Sequence, residues 1–189
     1  MKVTLADPVT QGKIKALCQI WRSVSRGYNL WLLKTNSDLG KNKGRRLLQK
    51  YWRLKKDKNV YADQLRKDFR YKSDPYNGKL NVIRSPWHVA LTRSGDCDCV
   101  ANFIRHAMGG QYWIFMDKLG NDDSVGHVVL VDKDEHLWSW DQNGLYHADC
   151  GFTPEWVASF GDKFVKDWKV LVNINKGIYT QRNSVWFRG

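Results

Sequence analysis

The run Gly95-Asp96-Cys97-Asp98-Cys99-Val100-Ala101, followed by two alternating stretches at 125–132 and 136–141, narrows the possible folds most. Gly95 permits a tight turn, and Asp96 is a good N-cap for a helix predicted from Cys97 to about Met108. Along it Cys97, Ala101, Ile104 and Met108 fall at helical spacing on one apolar face. Cys99 lies on another face and is the poorer nucleophile. A helix N-terminus favours the thiolate, so the spacing predicts a lowered thiol pKa at Cys97. The first-turn N–H groups point where an oxyanion would form.

In the first alternating stretch His127, Val129 and Val131 share a face; in the second Leu137, Ser139 and Asp141 do. With Lys133-Asp134-Glu135 as a three-residue hairpin loop, Asp132 faces His136 and the register sets His127 opposite Asp141. Cross-strand Cβ atoms lie about 5 Å apart, near enough for a carboxylate to orient an imidazole. A Cys–His–Asp set of this kind points to nucleophilic acyl transfer. Asn143 is an alternative orienter. Trp87 and Asp98 are candidates for the pocket wall or the oxyanion site.

Trp87, Gly95-Asp96-Cys97-Asp98, Gly126-His127-Val128-Val129 and Trp140-Asp141 together resemble the transglutaminase-like cysteine peptidases, particularly their bacterial and bacteriophage branch. There a Gly-Asp-Cys-acid motif opens the catalytic helix, and His and Asp follow on neighbouring strands of a papain-like core. The resemblance spans residues 85–143. It implies Cys97 as nucleophile, His127 as base, Asp141 as orienting acid, a protein or peptide substrate and no cofactor. It also implies a bacterial host's cytoplasm or a phage virion as the setting. The chain departs from the pattern at Cys99, where the family often has a second acid.

Two other readings compete. Cys97, Cys99, His147 and Cys150 supply four ligands of a type that suits zinc, although one intervening residue between the first pair is an unusual spacing. Alternatively the chain keeps such a fold without catalysis, as a phage particle or interaction protein.

At 189 residues, with 42% hydrophobic content and 10 tryptophans, the chain can bury a sizeable core. The stretch 1–7 lacks an apolar segment of the signal-peptide kind, and no apolar run approaches a membrane span. Four cysteines (18, 97, 99, 150) do not make a disulfide scaffold, which suits a reducing compartment.

Charge divides the chain. Residues 1–85 hold 21 Lys and Arg against 6 Asp and Glu, a net of +15, whereas residues 86–189 are net −3. We therefore expect a basic helical N-terminal region over 1–85 and the catalytic core over 86–189. Asp7 and Pro8 open a first helix. The Gly40–Gly44 stretch breaks the pattern; a second helix is expected over Arg45–Lys56 and a third over Tyr61–Tyr71. The cations within 41–72 are either a solvated face or a surface for an anionic partner, nucleic acid or an acidic polymer. Downstream, Thr153-Pro154-Glu155 starts a helix to about Phe164, Val170–Ile174 alternates as a strand, and 184–188 adds an edge strand. The expected class is α+β, with a papain-like, transglutaminase-like core of four or five antiparallel strands behind the Cys97 helix.

Overall fold

The structure is a computed structural model. It describes residues 3–35, 38–74, 82–116, 126–149, 151, 153–165, 168, 170–173 and 176–181. The order along the chain is β1 (Val3–Leu5), α1 (Pro8–Thr35), α2 (Asp38–Leu54), α3 (Lys58–Asp68), β2 (Arg70–Tyr71), α4 (Pro86–Thr92), β3 (Ser94–Gly95), α5 (Cys97–Met108), β4 (Gln111–Met116), β5 (Gly126–Val131), β6 (His136–Asp141), β7 (Gly144–Asp149), α6 (Pro154–Phe164), β8 (Val170–Asn173) and β9 (Gly177–Gln181). Seven strands form one sheet in the order β1-β9-β8-β4-β5-β6-β7, every neighbouring pair antiparallel. The two-residue β2 and β3 pair in parallel. The class is thus α+β. No helix among the described residues is long and apolar enough to cross a membrane.

Strand alternation divides the core between the two faces of the sheet. Trp113, Phe115, Val129, Val131, Leu137 and Leu171 pack with Val157, Ala158 and Phe160 of α6. Leu130, Trp138, Trp140 and Leu145 pack on the opposite face with α5 and α3, whose Tyr61 meets Trp138 directly, and α2 and α4 complete this cluster. Ile14 of α1 joins Ile114, Met116, Val170 and Val172 in a third cluster. Phe103 of α5 meets Tyr51 and Phe69 edge-on or tilted at ring separations of 5.6 and 5.1 Å. The hydrophobic core therefore crosses the 85/86 boundary of charge, and β1 closes the sheet against β9 from the opposite end of the sequence.

Several local expectations meet the structure. The Asp96 side chain caps α5 by accepting from the Cys99 N–H at 3.3 Å, and the helix ends at Met108, followed by Gly109 at φ +75°. Thr153 caps α6 in the same way. The 133–135 loop is a three-residue hairpin closed by the Asp132 N–H on the His136 carbonyl, with Glu135 in the left-handed region.

Others are corrected. Helix α2 runs straight through Gly40 and Gly44. Gly44 serves packing: a Cβ there would lie 2.5 Å from the Trp87 carbonyl of α4, so only glycine allows this approach. The third helix stops at Asp68, because Arg70 and Tyr71 bond to the 93–95 backbone as a short strand. On α1, Trp31 is exposed while Ser25 is buried. Strands β1 and β7 and helix α4 were not read from the sequence. Ile174 and the strand expected at 184–188 lie outside the described residues.

Candidate active site

Cys97 opens α5, half-buried, with the backbone N–H groups of Val128 and Asp98 directed at its sulfur. Its environment is the reverse of the helix-terminus expectation. Burial, then the Asp98 and Asp96 carboxylates, push the thiol well above its ordinary value, and these outweigh the two N–H groups. The free protein therefore carries a neutral thiol at Cys97 near pH 7.

The strand pairing on the His127 side keeps the expected register. Val129, Leu130 and Val131 pair with Ser139, Trp138 and Leu137. Continued by two residues, that register sets His127 opposite Asp141, but the ladder stops at Val129–Ser139. The imidazole instead bonds the diagonal neighbour: His127 Nε2 lies 2.8 Å from Ser139 Oγ. Asp141 acts at longer range, opposing the burial that lowers the His127 pKa. One Asp141 oxygen accepts the Asn143 N–H at 2.7 Å, so Asn143 enters through its backbone. Ser139 was the missed partner; its place on the His127 face, two residues before Asp141, was the available signal.

The imidazole of His127 lies on the sheet face opposite to the one that packs on α5, where Cys97 stands. Val128 packs toward α5, whereas His127 pairs with Phe115, whose ring faces α6. No hydrogen bond joins Cys97 to His127 among the described residues. What brings them near is the strand itself, since the N–H reaching Cys97 belongs to the residue after His127.

Around the start of α5 lies a group the sequence did not announce. Asp74, Asp96 and Cys99 place donor atoms within 4.8 Å of one another, and Asp98 adds a buried carboxylate. Asp74 accepts the Val82 N–H at 2.7 Å, yet burial and the neighbouring Asp96 push its pKa to about 7. Asp98 is pushed well above its ordinary value by burial, then by Asp96. Cys99 is fully buried; its thiol donates to the Val82 carbonyl and accepts the Arg84 N–H, both at 3.3 Å, which makes it a packing group. Tyr71, beside Gly95, sits in the field of Cys97, Asp96 and Asp141, and burial pushes its phenol up to about 12. Trp140 closes this end, its indole N–H on the Gly95 carbonyl at 3.0 Å.

The remaining candidates fall elsewhere. Trp87 is buried against Gly44 of α2, a packing role. Asp98 turns its backbone N–H to the sulfur, while its carboxylate would repel an oxyanion. The zinc set is not brought together. His147 bonds His136 at 2.8 Å and stacks on Trp138, three ladder steps from Asp141–Gly144, while Cys99 is held between Val82 and Arg84. Cys150 lies outside the described residues.

No family model, no curated protein and no solved structure matches this chain.

Proposed function

We propose that the protein is a thiol-dependent acyl transferase acting on amide bonds, a cysteine peptidase or amidase of transglutaminase-like, papain-like type. The observation that carries this reading is the Cys97 thiol at the start of α5, bonded by the backbone N–H of Val128, the residue that follows His127. Cys97 attacks the carbonyl carbon, and its proton passes to His127, which burial keeps neutral and able to accept it. His127 then protonates the departing amine, and water hydrolyses the thioester with His127 again as base. Ser139 holds the ring and Asp141 stabilises its charged form. Because the resting thiol is neutral, this is general-base activation and not a preformed thiolate–imidazolium pair. The ring rests across β5 from the thiol, on Ser139, so the proton transfer requires it to leave Ser139 and turn round the start of β5, unpaired on its β6 side, when substrate binds.

The test is an ester burst. With p-nitrophenyl acetate the protein should release one equivalent of nitrophenolate as Cys97 is acylated. Cys97→Ala should abolish the burst, and His127→Ala should slow it about 10²-fold or more. A burst surviving in Cys97→Ala overturns the assignment.

A second reading, a non-catalytic interaction protein such as a phage particle component, is favoured by one observation: the raised, half-buried thiol with no bond to His127. A folded protein with no burst at any pH up to about 9 would establish it.

A further inference from the structure

We propose that the outward face of α2 is a docking surface for the phosphate backbone of double-stranded nucleic acid. Lys43, Arg45, Arg46, Lys50 and Arg53 are all exposed on this helix, and Lys56 follows in the turn after it. From Lys43 to Arg53 this is about 15 Å of helix at 1.5 Å per residue. Asn42 and Gln49 lie on the same face, so from Asn42 to Arg53 no acid and no apolar side chain interrupts it. Among the described residues, no ion pair neutralises Lys43, Arg45, Arg46, Arg53 or Lys56. Lys50 lies in the field of the Asp68 carboxylate.

The platform under these cations is rigid. Leu48 and Tyr51 are buried in the core, and Gly44 holds α2 against the α4 backbone. A row of charges on a fixed helix loses little freedom on binding a regular anionic lattice.

The composition of the face selects the partner. A lipid surface needs apolar side chains to insert, and α2 presents none outward. A protein partner is met by a water-excluding centre rich in aromatics and poor in lysine, which is also missing. A duplex asks only for cations at phosphate spacing. Helix α1 is the contrast: Lys13, Lys15, Arg22 and Arg26 are exposed there too, but Ile20, Leu30 and Trp31 share its surface.

The full chain, carrying Cys97→Ala so that thiol chemistry plays no part, is titrated against a 20-base-pair duplex of arbitrary sequence by fluorescence anisotropy. Affinity should fall about 10³-fold between 50 and 200 mM salt, as about six phosphate contacts require. The quadruple variant Arg45→Gln, Arg46→Gln, Arg53→Gln, Lys56→Gln should flatten the log–log salt slope by about 3.6 and keep its melting temperature. The matching α1 variant, Lys13→Gln, Lys15→Gln, Arg22→Gln, Arg26→Gln, should leave the slope unchanged. No binding at 50 mM salt overturns the proposal, as does a slope carried by α1. Polyglutamate held as tightly as the duplex would also overturn it, by marking the face as a site for acidic protein. None of these outcomes depends on the ester burst.

Discussion

The two ends of the β5–β6 hairpin hold buried acids in opposite conditions. At the turn, Asp132 is fully buried and fully used. It accepts the Asp134 and His136 N–H groups at 2.9 and 3.0 Å and the Trp138 indole N–H at 3.0 Å, with the Lys58 ammonium at 3.3 Å. At the open end Asp74, Asp96 and Asp98 crowd the start of α5, and one carboxylate oxygen of Asp74 and one of Asp98 have no protein partner. The first acid fastens a hairpin; in the second group Asp74 and Asp98 resist ionisation. Chains that satisfy local rules almost everywhere tend to break them where they do chemistry. The open end, beside Cys97, is where those rules are broken in this chain.

The largest effect should come from the satisfied acid. Asp132→Ala strands three N–H donors, while the Lys58 ammonium keeps the exposed Asp134 carboxylate at 3.2 Å, and should cost about 3 kcal/mol or more, read from the urea midpoint at unchanged slope. A loss below about 1 kcal/mol would mean that the turn end is no better fastened than the open one.

The strained acids should show in pH dependence. Asp74 titrates at about 7 in the folded chain against an ordinary 3.8, so folding retains a proton that the unfolded chain gives up. Its contribution is complete below about pH 4 and is lost as pH rises through about 7. The melting temperature should therefore fall between pH 5 and pH 8, and Asp74→Asn should reduce that fall and raise stability at pH 8. A variant with the parent's full pH slope would remove Asp74 from the argument.

The smallest effect concerns the thiol. Iodoacetamide should modify Cys97 progressively faster as pH rises above neutrality, with no plateau in mild acid, because burial, Asp98 and Asp96 oppose the thiolate. The pair Asp96→Asn, Asp98→Asn keeps a capping side chain and removes both charges, and should accelerate modification at pH 7 severalfold. An unchanged rate would leave burial as the whole cause.

Much of the fold was legible because its signals are local. The cap Asp96 with the end at Gly109, the cap Thr153, the 133–135 loop and the register across it each depend on a few adjacent residues. Gly40 and Gly44 misled, since a glycine marks a break unless a neighbouring element needs the space, and that element, α4, is about 40 residues away. Tyr71 was read as helix because its spacing fits one, while its strand bonds come from the 93–95 backbone.

The sequence by itself determined the α+β class, the position of Cys97 at a helix start, the pairing register of the hairpin and the concentration of cations before residue 85. Each follows from periodicity, capping or counting. The tertiary structure alone decided what surrounds the thiol. Asp96 and Asp98 flank Cys97 in sequence, but the burial that leads the shift depends on the whole sheet, so neither the raised thiol nor the Ser139 bond of His127 follows from spacing. A helix terminus gives a fixed, local preference for the thiolate; the flanking carboxylates oppose it locally too, but desolvation, the largest opposing cause, arises only when the chain packs over the start of α5.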